Sequence, residues 1–371
     1  MYDQIREDPL YILLYGIVIA MAAIASCYLL FRLANAIAPD VTSIVRLRRW
    51  TAVFFATIGL SHVWYMPIFF QDSSEDILMT DLIGGLLDFM TLFPLAIVVL
   101  FEMLQDRRRP LWPIVLMMAP LVVGEMFCLT NRSYALLPMI YVYFLLMCCG
   151  LIIYMVREVR LYGRWLRDNY ADLERKEVWQ SFVVLAIMLL VFGIYAFIYE
   201  GTAYLYAMRV VYAVLICYLL WRVETLSDLS VPECHNCSDF LSPAGGKPVE
   251  QERPLGLSKN ISPLLKQHCE EPQLYLQYDI TLSQLATLIG INRSYLSKHF
   301  ASQGITYNTY INGLRIQHFI NLYREAIATH QPVTAQQLAH QSGFRSYNTF
   351  SVAFKNAMGM TATEWMRLTE S

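Results

Sequence analysis

The sequence predicts an all-α protein of two halves: a seven-helix transmembrane bundle, then a soluble unit of two helix-turn-helix motifs joined by a long connector helix. Three observations carry this. Seven stretches of about 20 apolar residues, the length a helix needs to cross a bilayer, occupy the first 221 positions. Apolar content drops abruptly after Trp221. The last third of the chain contains an internal repeat.

Of 371 residues, 56% are hydrophobic and only 16% charged, whereas a soluble domain carries about a quarter charged residues. The deficit lies in residues 10–221, and residues 222–371 have an ordinary soluble composition. The net charge of −2 therefore averages two unlike halves and excludes nothing. The predicted spans are 10–31, 50–70, 79–103, 111–129, 134–156, 178–199 and 202–221. The first is too long for a cleavable signal peptide and has no basic segment before it.

Loop charge orients the bundle. The loops after the first, third and fifth spans carry Arg32, Arg46, Arg48 and Arg49, then Arg107 to Arg109, then Arg157, Arg160, Arg164, Arg167, Arg175 and Lys176. The alternate loops are acidic or nearly uncharged, and Met1–Pro9 holds three acidic residues against Arg6. The expected topology is N-terminus outside and C-terminus in the cytoplasm, in a bacterial inner membrane. Trp50, Trp112, Trp179 and Trp221 fall at the expected cytoplasmic ends, as an aromatic belt requires. His62, Asp88, Glu125 and Arg209 are ionisable groups inside spans, and such groups face the bundle interior. They are either an outward-facing polar pocket, with Arg209 paired to Asp88 or Glu125 and an unidentified signal ligand able to join them, or a structural ion pair and hydrogen-bonded polar residues inside the bundle.

Residues 222–257 hold Pro232, Pro243, Gly245, Gly246, Pro248, Pro254 and Gly256 and are expected to be a linker. Its first residues, Arg222–Leu229, are expected to extend the last span as a helix. Cys234 and Cys237 form a lone CxxC with no second pair nearby, so no metal site is expected. No cofactor is expected.

The repeat begins after Ile261. Its first copy has Leu285, Ala286, Gly290, Leu296, Phe300, Gly304 and Tyr310, and its second has Leu338, Ala339, Gly343, Phe350, Phe354, Gly359 and Trp365. Each copy reads as a helix-turn-helix. Thr281 or Ser283 caps the first helix, Gly290 ends it, and Asn292 or Ser294 caps the next. Leu296 and Phe300, four apart, bury its inner face. Thr334, Gly343, Phe350 and Phe354 do the same in the second copy. The exposed polar helix starts suit the major groove, where Arg pairs with guanine and Asn with adenine. The candidate DNA contacts are Asn292, Arg293, Ser294, Tyr295, Lys298, Arg345, Ser346, Tyr347, Asn348 and Lys355. Thr306–Thr329 is the connector, long enough to hold two recognition helices about 34 Å apart, one turn of DNA. Arg315 on it is open between a DNA contact and a salt bridge at the core's edge.

Residues 258–371 resemble the DNA-binding domain of the AraC family of bacterial regulators. The second motif carries most of the likeness: Gly343-Phe344-Arg345-Ser346-Tyr347-Asn348-Thr349-Phe350, then Phe354-Lys355, Gly359, Thr361 and Trp365. The connector adds Tyr310-Ile311-Asn312 and Leu314-Arg315-Ile316. Ala362 stands where the family usually has proline, which predicts a looser last loop, and Phe319 stands where alanine is usual, which predicts different connector packing. The resemblance implies sequence-specific promoter binding and regulation of transcription, with double-stranded DNA, RNA polymerase and the lipid bilayer as partners and a homodimer as a plausible assembly. The domains expected are 1–221, 222–257 and 258–371. There is no HExxH, GxSxG or phosphate-binding loop, so the chain is not expected to be an enzyme. The alternative is a membrane transporter or enzyme with a regulatory DNA-binding tail.

Overall fold

The computed structural model of the chain describes residues 8–71, 73–132, 135–184, 186–187, 202–229 and 261–370. Among these there is no strand, only helices and two isolated bridges. The chain divides into two compact units, Met1–Tyr162 with Val178–Val231, and Gly163–Glu177 with Pro232–Ser371. The division differs from the sequence boundaries: residues 163–177, expected to be only a loop of the bundle, belong to the C-terminal unit, and the first unit runs past 221 to Val231.

The first unit contains α1 (Pro9–Phe31), α2 (Val45–Trp64), α3 (Ser74–Met90), α4 (Leu92–Met103), α5 (Trp112–Asn131), the first part of α6 (Leu137–Asn169) and α7 (Thr202–Thr225). Six helices or helix pairs among the described residues are long and apolar enough to cross a membrane. The stretch 178–199 begins as helix at 179–184 and then, with the turn Glu200–Gly201, lies mostly outside the described residues. The third span is broken at Thr91. Pro94 explains the break, since it has no N–H for the carbonyl of Met90 and its ring crowds that carbonyl.

Asp8 caps α1, its carboxylate accepting from the Leu10 amide at 3.0 Å, and Pro9 takes the first helical position. The buried residues Tyr11, Tyr15, Val18, Ala22, Ala25 and Leu29 follow a 3.6-residue period. Small residues let α1 and α2 approach closely: a Cβ on Gly59 would lie 3.8 Å from that of Ala22. Leu10, Leu13, Ile17 and Ile24 of the same helix are exposed, as expected of a helix with an apolar environment on its outer side.

Some of the basic loop residues are spent on internal pairs within this unit. Arg32 pairs with Glu224 at 3.0 Å, both nearly inaccessible. Arg107 and Arg109 hold Glu158 at 2.7 and 2.9 Å. The expected helical extension over Arg222–Leu229 forms only as far as Thr225. α7 ends at Thr225, and the next residues are tied down: the Asp228 amide donates to Thr42 O at 2.9 Å, Gln105 donates to Ser227 O at 2.9 Å, and the Leu229 amide donates to Gln105 at 2.8 Å. These hydrogen bonds compete successfully with the last helical turn because each satisfies a backbone group at a crowded helix end.

In the second unit, a short helix α8 (Ile261–Leu265) precedes α9 (Leu282–Ile289), α10 (Arg293–Ser302), α11 (Tyr307–Ala328), α12 (Ala335–Gln341), α13 (Tyr347–Met358) and α14 (Ala362–Glu370). The connector α11 serves two cores. Tyr307 and Ile311 enter the cluster built on Leu285, Leu296 and Phe300, and Ile316, Phe319, Ile320 and Tyr323 enter the one built on Leu338, Phe350 and Phe354. Phe319 is fully buried and stacks 4.6 Å from Phe350, which is the altered connector packing its sequence position implied. Ala362 does not loosen the last loop. It is the buried first residue of α14, and Thr361 accepts from the Glu364 amide at 3.3 Å. The first helical position tolerates proline and alanine alike.

Candidate nucleic-acid interface

Both motifs are built by the same local chemistry. Thr281 and Gln284 form a capping box at the start of α9, and Thr334 and Gln337 form the matching box at α12. Gly290 and Gly343 follow with φ of 76° and 85°, a region open to glycine at little cost. At Gly343 a Cβ would also lie 2.7 Å from Leu276 Cα, so the close backbone approach itself excludes a side chain. Asn292 then caps α10, accepting from the Ser294 amide at 2.8 Å, and Ser346 caps α13, accepting from the Thr349 amide at 3.3 Å.

The structure places the candidate contacts at these two helix starts. Asn292, Arg293, Ser294, Tyr295 and Lys298 are exposed on α10, and Asn348 and Lys355 are exposed on α13. Arg345, Ser346 and Tyr347 are half-buried, Tyr347 leaning on Phe350. The caps spend one acceptor each of Asn292 and Ser346. Arg315 is neither a DNA contact nor an edge salt bridge. It is 1% exposed, with Nε donating to Tyr275 O at 2.7 Å and Nη2 donating to Gln277 O and Tyr278 O at 2.7 and 3.2 Å. Its guanidinium also lies over the Phe344 ring.

Sequence reasoning missed the part played by residues 163–177. Ala171 is buried in the first core cluster, its amide donates to Ile280 O at 3.4 Å, and Asn308 donates to its carbonyl at 2.6 Å. Asn169 accepts from Arg293 Nε at 3.0 Å, and Glu174 accepts from Thr349 at 3.2 Å. Asp279 takes Lys176 at 3.2 Å and Arg345 at 3.4 Å. One short segment thus engages residues at the starts of both recognition helices. The available signal was Asp168, Asp172, Glu174 and Glu177, four acidic residues in a loop notable for its arginines.

Asp172 is buried, and that burial pushes its carboxyl above the usual range while Lys176 pulls it down. A carboxyl with a raised folded value adds stability at low pH that is lost as pH rises through that value. Asp172→Asn, which holds the neutral form, is therefore expected to raise the thermal midpoint of this unit at pH 7 and flatten its acid dependence. A lower midpoint at neutral pH would show that Lys176 and Arg315 outweigh the burial.

The four ionisable residues expected inside the bundle separate. His62, Asp88 and Arg209 line one cavity of about 360 Å³, together with Tyr11, Tyr15 and Asp81. Glu125 is not part of its lining and lies against Gly85 of α3. Among the described residues, Arg209 hydrogen-bonds to His62 and Tyr11 rather than to Asp88 or Glu125, correcting the ion pair expected from sequence.

A family model described as a helix-turn-helix domain matches residues 285–368, from α9 into α14. Over 102 residues the chain is 30% identical to an uncharacterized HTH-type transcriptional regulator of Staphylococcus aureus (strain MRSA252), covering 27% of this chain and 13% of that protein. Over 75 residues it is 33% identical to the TCP pilus virulence regulatory protein of Vibrio cholerae serotype O1 (strain ATCC 39541 / Classical Ogawa 395 / O395), covering 20% of this chain and 25% of that protein. The matched region spans a quarter or less of these relatives' own length. No solved structure matches the chain. With both motifs, their caps and the connector inside or bordering the matched region, the C-terminal part of this chain is a helix-turn-helix domain of the AraC type.

Proposed function

We propose that the protein is a membrane-anchored, sequence-specific DNA-binding transcription regulator that couples the state of its helix bundle to promoter binding. The observation that carries this is the paired geometry: two capped recognition helices, the first exposing its polar start and the second exposing Asn348 and Lys355, joined by a 22-residue connector. That helix is about 33 Å long at 1.5 Å per residue, close to the ~34 Å between successive major grooves on one DNA face. The likeness to proteins named as transcriptional regulators agrees with it. Arg293, Asn348 and the half-buried Arg345 read bases, Ser294, Tyr295, Lys298 and Lys355 hold phosphates, and Asn292, Ser346 and Tyr347 shape and border the helix starts. The bundle sits in the bacterial inner membrane with its N-terminus outside, and a homodimer and RNA polymerase are the partners at the promoter.

The segment 163–177 supplies the coupling. It is covalently continuous with the bundle on both sides, and it holds Arg293, a base-reading residue, and Thr349 beside Asn348 in the second recognition helix. Movement of the bundle then releases or retains these side chains.

The test is selection of genomic fragments by the full-length protein in nanodiscs, followed by footprinting. Two protected half-sites about one helical turn apart are expected. Asn348→Ala should cost about 1–3 kcal/mol and relax the preference at one base pair. Lys298→Ala and Lys355→Ala should each reduce the salt slope by about 1 without changing the sequence selected. Protection that is independent of sequence would overturn the reading.

A further inference from the structure

The cavity among α1, α2, α3 and α7 contains two groups of opposite charge, Arg209 and Asp88, that do not pair with each other, and we propose that it binds a small zwitterion of amino-acid size, carrying one ammonium and one acidic group. The cavity lies at the start of α1 and the end of α2, away from the face where Arg32 meets Glu224.

Arg209 has five N–H donors and no acceptor. Its Nε donates to the Tyr11 hydroxyl at 3.3 Å and its Nη1 donates to His62 Nε2. His62 Nε2 must therefore be an acceptor, so its Nδ1 carries the proton and donates to Ile58 O at 2.8 Å. The imidazole is neutral and adds no charge. The guanidinium is held over the Tyr15 ring, 4.6 Å from its centroid. Tyr15 is itself fixed, donating its hydroxyl to the His62 carbonyl. Among the described residues the Nη2 edge of Arg209 makes no hydrogen bond, and this is the edge that a carboxylate or phosphate would take.

Asp88 supplies the other pole. Tyr65 donates to its Oδ2 at 3.2 Å and the Ser61 and Trp64 side chains stand beside the carboxylate, while its buried Oδ1 makes no hydrogen bond of normal geometry among the described residues. Gly84 makes this arrangement possible, because a Cβ there would run into the Tyr65 ring. Asp81 adds a second carboxylate to the lining. An unpaired buried charge is expensive, yet Arg209 and Asp88 do not pair with each other. A simple anion would leave Asp88 unanswered, and a simple cation would be opposed by Arg209. A molecule with both charges answers both. The volume, about 360 Å³, is at the small end of the ~300–1,000 Å³ typical of ligand pockets. Such a ligand could be a free amino acid or the ethanolamine phosphate headgroup of a lipid, which share this chemistry.

The proposal rests on the sensor reading above only for its consequence at DNA, since binding is measured with no DNA present. The full-length protein in phosphatidylglycerol nanodiscs is heated with each free amino acid, and separately in nanodiscs containing phosphatidylethanolamine. A raised midpoint with at least one free amino acid, or with phosphatidylethanolamine, is expected, and the arm that responds identifies the source. N-acetylation or esterification of the binding amino acid, or N-acylation of the ethanolamine lipid, each of which removes one charge, should weaken binding about tenfold or more, the loss of one charge-assisted hydrogen bond. These derivatives need no substitution in the protein, so misfolding cannot imitate the result. Asp88→Asn should abolish the difference between the parent compound and its N-acylated form. No shift in either arm, or equal binding of the singly charged derivatives, overturns the proposal and leaves the DNA-binding reading untouched.

Discussion

Arg315→Ala is expected to destabilise the C-terminal unit by about 3–5 kcal/mol, because several carbonyls lose one shared charged donor together, each such hydrogen bond being worth about 1.5–3 kcal/mol. Three carbonyls, those of Tyr275, Gln277 and Tyr278, lose their donor at once, and each buried acceptor left unpaired costs about 1–3 kcal/mol. The side chain is 1% exposed, so water cannot replace it without a rearrangement. A domain has only about 5–15 kcal/mol to lose. Arg315 sits on α11 between the residues that enter the first core and those that enter the second, so the damage should reach both motifs. Urea titration of the full-length protein, with limited proteolysis of residues 261–370 as readout, measures this. Arg315→Lys should rescue little, because one ammonium cannot span the carbonyls that the guanidinium fork reaches. An unchanged midpoint for the alanine variant would sink the argument.

The second large effect runs the other way. Asn169→Ala combined with Glu174→Ala is expected to increase the affinity of the full-length protein for its selected DNA by about tenfold, equivalent to ~1.4 kcal/mol. The two substitutions free Arg293 and Thr349, and each side-chain hydrogen bond removed is worth about 0.5–1.5 kcal/mol. Apparent affinity is reduced by the fraction of molecules held in the closed arrangement, so the gain should level off once that fraction is small. Arg293→Ala should instead lose affinity, because it removes a DNA contact together with the restraint. Fluorescence anisotropy on one labelled fragment separates the outcomes. Unchanged or weaker binding of the double variant would show that residues 163–177 do not compete with DNA.

Much of the C-terminal unit was legible in the chain because its signals are local. The Thr281–Gln284 and Thr334–Gln337 boxes, the left-handed glycines 290 and 343, and the caps Asn292 and Ser346 each act within a few residues of themselves. The connector was expected over Thr306–Thr329 and runs over Tyr307–Ala328 with Thr306 as its cap. Apolar runs likewise announce six of the bundle's helices, because the length of a span is set by the thickness it has to cross.

The pairing of polar groups could not be read this way. Sequence position shows that Arg209 is costly inside a span, but which group meets it depends on the rotation and tilt of four helices. The structure chooses His62 and Tyr11 over Asp88 and Glu125. Arg315 looked equally suited to DNA or to the core, and only the loop at Tyr275–Tyr278 decided for the core.

By itself, then, the sequence determined the helices, their caps and breaks, the duplicated DNA-binding motif and the positions of the apolar spans, because periodicity and capping act over at most a few turns. The tertiary structure alone decided that residues 163–177 pack into the C-terminal unit, that Arg315 is buried, and that Arg209 and Asp88 face one cavity without pairing with each other. Those outcomes depend on contacts between residues tens to more than a hundred positions apart, and no local rule relates such residues until the chain has folded.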